Sequence, residues 1–366
     1  MSVDFARLRL KYHGDPEKMD DILQAECREK TARKLPGLTG NPGFRFPSLA
    51  VAEMSTSEAV ADFHATLVNP GFSILDMIAG LGVDAYAMAA RGCHVTACEI
   101  DPVTATTLRH NVRTLGLEND IEINECDSVQ WLKENSVRFD VIFIDPARRD
   151  NAGRHFTLKE CHPDVTSIME LLKSRCHTLI IKASPMMNPA ELRDYGAETI
   201  VIGTVRECKE VVYVISPDSK PGRVRCVTLG HGEYQVSPEG EQQYGSPSPG
   251  DILLQPYPSV MKGGASATIT GVTKLHPFSH LFFSHTPCDD FPGEAYLIES
   301  VMPFDRRTVK AFAATYPKIN VAVRNFPLSA PELVRRLKIK EGGDMMLFGT
   351  TAPDGKRLLI TARPIA

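Results

Sequence analysis

The sequence predicts an α/β fold, a mostly parallel sheet covered on both faces, in a chain long enough for two or three domains. Three observations carry this. From Ser73 to about Ser216 short apolar runs alternate with segments of helical spacing. The first run ends in a glycine turn, Asp76-Met-Ile-Ala-Gly80-Leu-Gly82-Val-Asp84-Ala85, which lets a ligand approach the backbone at the carboxyl edge of such a sheet. The 366 residues are 43% hydrophobic and 23% charged, a soluble globular balance, and no apolar run reaches the roughly 18 residues of a membrane span.

Taken in order, residues 1–54 read as a polar helical segment. Asp15 is a cap and Pro16 a first helical residue, with Met19, Ile22, Leu23 and Cys27 on one face, and Pro36 to Gly43 then break the pattern. Ser55-Thr-Ser-Glu58 reads as a capping box opening a helix striped by Val60, Phe63 and Leu67. The strands that follow are 74–78, 94–100, 121–125, 139–144, 178–182, 199–203 and 211–215. Helices are expected at 83–91, 102–115, 129–134, 165–175 and 189–195. No helix separates the last two strands, so a short turn makes them an antiparallel hairpin at the sheet edge. Residues 217–250, rich in Pro, Gly and Ser, read as loop. Beyond them 296–302, 305–315, 319–324, 329–337, 345–349 and 357–361 form a β-α-β-α-β-β unit. Its second helix opens on a capping box, Ser329-Ala-Pro-Glu332, and is closed by Gly342-Gly343; a turn at Ala352 to Gly355 joins the last two strands.

Nine cysteines, an odd number scattered without Cys-x-x-Cys, read as reduced thiols. The charged start, Met1-Ser-Val-Asp-Phe-Ala-Arg, does not look like an export signal, so a cytoplasmic protein is expected. Net charge is -4, but residues 305–366 hold 12 Lys and Arg against 5 Asp and Glu, while the rest hold 29 against 40. A nucleic-acid footprint therefore belongs at the C-terminus, where solvated charge is the alternative.

Gly80-x-Gly82-x-x-Ala85 also fits the relaxed dinucleotide fingerprint. A pyrophosphate would meet Asp84 in the first helical turn and Asp76 beside it, and be repelled. S-adenosylmethionine has no phosphate, and its sulfonium and ammonium favour carboxylates. Glu99 can accept from both ribose hydroxyls. Asp127 can accept from the adenine amino group or simply cap the next helix. Asp145-Pro146 ends the fourth strand. Four acids at four successive strand ends form the signal, and the donor-binding candidates are Asp76, Ala79, Gly80, Gly82, Glu99, Ile100, Asp127, Ser128 and Asp145.

Residues 55–215 resemble class I S-adenosylmethionine-dependent methyltransferases. Asp76 to Asp84, Asp145-Pro-Ala-Arg-Arg-Asp150 and Lys182-Ala-Ser-Pro-Met186 look like bacterial members with a THUMP-like C-terminal domain, which Asn325 to Leu337 with Gly342-Gly343 resembles in turn. Ile252 to Ser284 looks like the small ferredoxin-like insert of the same proteins. The resemblance implies a Rossmann-like seven-stranded core at 55–220, a linker and ferredoxin-like segment at 221–290 and a THUMP-like α+β domain at 291–366. It also implies methylation of RNA, structured tRNA or rRNA.

Enzymes that methylate base amino groups carry an Asn/Asp-Pro-Pro-aromatic turn. Here Asp145-Pro146 precedes Ala147, Arg148 and Arg149, so stacking must come from elsewhere, for example Phe156 or a guanidinium. Asp-Pro-Ala-Arg also occurs in enzymes that make 5-methyluridine through a cysteine near the next strand's end. That strand here ends Ile181-Lys-Ala-Ser-Pro-Met-Met187, without cysteine, which disfavours covalent carbon methylation. Asp145 with Pro146 is the catalytic candidate, as amine acceptor. Arg148, Arg149, Lys182, Arg335 and Arg336 are the substrate candidates; for Arg148 and Arg149 a surface ion pair is the alternative. His276, His280, His285 and Cys288 have ligand-like spacing but match no zinc pattern, and no metal is expected. Two other functions stay open: methylation of a small molecule or protein, and RNA binding by a core that has lost activity.

Overall fold

The computed structural model describes residues 3–365 except 148, 151–152, 155–156, 237–241, 265–268 and 270, and only the backbone of 149–150 and 153–154. Its contacts divide the chain into two compact units, residues 1–199 with 210–222, and residues 200–209 with 223–366.

The first unit is built on β1 (Ser73–Asp76), β2 (His94–Glu99), β3 (Ile121–Glu125), β4 (Phe139–Ile144) and β5 (Cys176–Ala183). With β7 (Cys208–Ile215) they lie in the order β7-β5-β4-β1-β2-β3. All neighbours are parallel except β7, which runs against β5. Ile74, Leu75, Ile142, Ile180 and Ile181 are fully or almost fully buried, as near-continuous apolar strands between two helical layers must be. Parallel pairing brings the carboxyl ends of β1, β2, β3 and β4 to one rim.

The helices at Val83–Ala90, Pro102–Thr114 and Ser128–Glu134 lie where the spacing places them. Two others are shorter than expected. The segment 165–175 is helical only from Met169, and 189–195 holds only a single 3-10 turn, Arg193–Tyr195. Asp164 explains part of the first loss: its side chain accepts from the amides of Thr166 and Ser167, a local turn that competes with helix.

The capping box at Ser55 is not formed. The helix starts at Glu58, whose carboxylate instead accepts from the amides of Gly37 and Leu38, 2.9 and 2.7 Å away. Those amides open a short helix, Pro36–Gly40, where breakage was expected. Arg28 donates to the carbonyls of Thr39, Asn41, Pro42 and Phe44, and Gln24 exchanges two hydrogen bonds with the backbone of Phe46. The buried Asn111 side chain exchanges two more, each 2.8 Å, with the backbone of Arg45. Phe44 and Phe46 are buried, and Phe44 packs edge-on against Tyr86.

In the second unit, Thr204 N–H donates to Glu207 C=O at 2.8 Å and closes the turn that follows β6 (Glu198–Gly203). β6 is not a sheet edge as expected. Beside it lie β8 (Val224–Thr228) and β9 (Gly232–Val236), formed by residues read as loop. Their signal is short and interrupted by Gly230 and Gly232, both in the left-handed region.

A seven-stranded sheet follows: β10 (Ile252–Pro256), β11 (Thr273–Lys274), β12 (Phe282–Ser284), β13 (Gly293–Pro303), β14 (Asn320–Arg324), β15 (Met346–Thr351) and β16 (Arg357–Pro364), in the order β11-β12-β10-β13-β16-β15-β14. It runs unbroken across residue 290 because β10 pairs with β13. Helices Arg306–Thr315 and Ala330–Leu337 cover Leu347 and Leu359 through Phe312, Leu333 and Leu337. The Ser329/Glu332 capping box forms as read. The second helix ends not at Gly342 but at Lys338, a non-glycine residue in the left-handed region.

Candidate functional site

The site is built at the carboxyl rim of β1, β2 and β4. After β1 the chain turns through Met77 to Gly82 and enters the helix Val83–Ala90. Strands on both sides hold this turn: Met77 N–H donates to Phe143 C=O and Ala79 N–H to Cys98 C=O, each at 3.0 Å. Gly80 and Gly82 both have positive φ, for different reasons. A Cβ on Gly82 would meet Leu108 at 2.4 Å and Tyr86 at 2.7 Å, so this glycine lets the turn pack on its own helix. A Cβ on Gly80 would meet nothing within 4 Å. It faces open space, a cradle of backbone for a ligand.

Carboxylates surround the cradle. Glu99 is buried, and its two oxygens accept from Gly80 N–H at 3.0 Å and Asp101 N–H at 2.9 Å. Each oxygen keeps a second lone pair, enough for a ribose diol. Asp76 is 2% exposed, and burial, followed by the charge of Asp84, pushes its carboxyl up to about 8. An arriving cation would relieve that repulsion. An open glycine cradle beside a buried carboxyl that burial and the neighbouring Asp84 hold mostly unionised fits a phosphate-free, cationic sulfonium donor. Ile100, 66% exposed, leaves an apolar surface next to Glu99. Asp127 is exposed and caps the helix Ser128–Glu134 by accepting from Val129 and Gln130; Ser128 is buried behind it. The capping role is the one present in the structure.

Asp145 leaves the end of β4, and Pro146 behind it is buried. The side chain of Asp145 is held from the protein interior by Lys182 Nζ, 2.7 Å from Oδ2. Lys182 is therefore not placed to grip substrate. It is 3% exposed, and besides Asp145 it donates to Thr56 Oγ1 at 2.6 Å. Burial works against its charge, but Asp145 and Asp84 more than offset this and hold the ammonium above its ordinary range. Asp84 accepts from Thr56 and, at 2.7 Å, from His64 Nδ1; His64 Nε2 reaches Glu210. Burial lowers the basicity of His64, yet Glu210 and Asp84 together raise it to about 9. Burial likewise opposes the charge of Asp84, and Lys182 and His64 overcome it, keeping the carboxylate well below its usual range.

Thr56, His64 and Glu210 escaped the sequence reading. Their signal is faint but physical. His64 lies one helical turn after Val60, and Glu210 adjoins the apolar run Val211 to Ile215; polar groups entering a core need partners.

Arg148 and Phe156 lie outside the described residues, as does the side chain of Arg149, whose backbone pairs with Arg154. Arg335 and Arg336 are exposed in the second unit, where with Arg357, Phe304 and Leu328 they line an open cavity of about 480 Å³. Arg324, on the strand Asn320–Arg324 of the same unit, donates to Val323 C=O and Gln255. His276 bonds to the Phe278 amide and Asn325, and His285 to Asp251. Among the described residues no group of three His, Cys, Asp or Glu could hold a metal, and no helix is long and apolar enough to cross a membrane.

Residues 53–159 match the family described as "Putative SAM-dependent methyltransferase", 253–292 a ferredoxin-like domain and 293–364 the "THUMP domain-like" family. An "Uncharacterized S-adenosylmethionine-dependent methyltransferase" of Mycobacterium tuberculosis is 24% identical over 350 residues, 92% of this chain and 93% of that one. Ribosomal RNA small subunit methyltransferase J of Coxiella burnetii is 30% identical over 166 residues, 41% of this chain and 64% of the relative, just under two thirds of its length. A crystal structure of a "putative methyltransferase" from Porphyromonas gingivalis W83 has the same fold, with a TM-score of 0.83, 24% identity and coverage of 99% and 97% of the two chains.

Proposed function

We propose that this chain, which is an S-adenosylmethionine-dependent methyltransferase, transfers the methyl group to a base nitrogen in structured RNA, tRNA or rRNA, in the cytoplasm. The observation that carries the RNA reading is the second unit's cavity, whose lining combines Arg335, Arg336 and Arg357 with Phe304 and a single acid, Glu332. Guanidinium donors suit phosphate oxygens, and an aromatic face suits an unpaired base. The THUMP-like match and the likeness to a ribosomal RNA methyltransferase support it.

Bound in the cradle, the donor supplies an electrophilic methyl group. The chain's own residues then have to orient and exclude water. Glu99 and the backbone at Gly80 would hold the donor's ribose, and Asp76 would balance its positive charge. Asp145 would accept a hydrogen bond from the target amine and turn that nitrogen's lone pair toward the methyl group; as N–CH3 forms the S–CH3 bond breaks, the neutral thioether leaves, and the amine's proton passes to Asp145 or to water. Arg335 and Arg336 hold RNA backbone.

Nucleosides from total RNA of a deletion strain and its parent, compared by mass spectrometry, test this. One methylated base nucleoside should vanish and return when purified protein and donor are added to the undermodified RNA. Asp145→Ala should restore it at least about a hundredfold more slowly. Identical nucleoside profiles in the two strains refute the RNA reading.

A further inference from the structure

The geometry points to Lys182 as a positioning residue, which fixes Asp145 at the methyl-transfer centre and ties it to the donor-binding turn. This rests on the role of Asp145 proposed above.

Lys182 Nζ has three protons and no acceptor. One goes to Asp145 Oδ2 at 2.7 Å and one to Thr56 Oγ1 at 2.6 Å, and Asp84 Oδ2 lies 3.7 Å away. The Thr56 hydroxyl in turn donates a hydrogen bond to Asp84, so the donors point in one direction, from the ammonium to both carboxylates. The two acids sit on different elements. Asp145 follows β4, whereas Asp84 is in the first turn of the helix that leaves the glycine turn. One buried cation thus sets the distance between the turn that holds the donor and the group that meets the acceptor.

Exposure gives the arrangement a direction. The Asp145 side chain is 23% exposed and that of Lys182 is 3% exposed, so the lysine braces the carboxylate from the interior. His64 and Glu210 complete the bracing on the far side of Asp84, each with an ionic partner. Asp76 is a further acid beside them, repelled by Asp84 and, less strongly, by Asp145. Removing the ammonium would take away the cation that lies between Asp84 and Asp145; Asp84 keeps His64, and the more exposed Asp145 carboxylate would be the freer of the two to shift.

The test uses two donor analogues and full-length protein. Sinefungin carries a protonated amine where the donor carries its methyl group, and S-adenosylhomocysteine carries nothing there. Calorimetry of both gives a preference for the amine that reports where Asp145 stands, whatever the methyl acceptor is. Wild type should prefer sinefungin by about tenfold or more, and Asp145→Ala should lose that preference. Lys182→Met should lower it about fivefold or more while S-adenosylhomocysteine affinity stays within about threefold, and the double variant should lose no more than Asp145→Ala alone. A residue serving only stability would weaken both ligands equally and leave the ratio intact. If Lys182→Met shows no cooperative melting, Thr56→Val replaces it, with a fall of about twofold to threefold expected. An unchanged preference in the folded lysine variant, or in Thr56→Val in its place, overturns the inference and leaves the role of Asp145 standing. An unchanged preference in Asp145→Ala, or none in wild type, overturns both.

Discussion

His64→Gln should flatten the dependence of stability on alkaline pH. His64 is fully buried between Asp84 and Glu210, and its basicity is raised from 6.5 to about 9. Between those values the folded protein holds a proton that the unfolded chain releases. The sign follows: the stabilisation is complete below about pH 6.5 and is lost as pH climbs through 9. A rise of that size corresponds to about 3 kcal/mol. Urea unfolding of the first cooperative transition at pH 6, 7.5 and 9 measures it in wild type and variant. Wild type should lose about 3 kcal/mol more than the variant between the first and last pH, since other titrations are largely common to both. At pH 6 the variant is the less stable protein, because Asp84 and Glu210 have lost the cation between them. Parallel pH profiles within about 1 kcal/mol would show that His64 is neutral in the fold and refute the reasoning.

Asp76→Asn should stabilise the donor-free protein at pH 8, by ~2 kcal/mol or more in chemical denaturation, because a carboxyl that resists ionisation is replaced by a neutral amide. It should also weaken donor binding about tenfold in calorimetry, since the cationic donor loses its counter-charge. Gly80→Ala and Gly82→Ala should separate. The first lies in open space and should cost about 1 kcal/mol in thermal melting but block the donor; the second meets Leu108 and Tyr86 and should cost about 3 kcal/mol. Replacing Arg335 and Arg336 together by Ala should lower the slope of log affinity for RNA against log salt by about 1 to 2, measured by filter binding, with donor affinity unchanged.

The glycine turn, the strand ends at Asp76, Glu99 and Asp145 and the paired helices of the C-terminal unit were legible because each has a local cause: apolar period, turn chemistry or capping. The ion network was not. Thr56, Asp84, Lys182 and Glu210 are separated by up to 154 positions in the chain, and only closure of the sheet brings them together. Lys182 shows the difficulty well. At the end of an apolar strand a lysine reads equally as a hand extended to substrate or as a buried counter-ion, and the deciding partners lie on other elements. Glu58 failed for a related reason: its carboxylate can serve the amides of its own helix or those of a neighbour, and the neighbour at Gly37 and Leu38 prevailed. Two short strands, β8 and β9, escaped because the local Pro and Gly content outweighed their weak apolar alternation.

The clasp formed by Arg28, Gln24 and Asn111 bears on how this protein can be dissected. Residue 54 looks like a natural place to cut. A shortened chain starting there would discard Phe44 and Phe46 and uncover Tyr86, whose ring underlies Gly82. Loss of activity on truncation would then record collapse of the glycine turn at Gly82 rather than removal of a separate recognition module, so scanning by single substitutions is the safer guide to what the leading helices contribute.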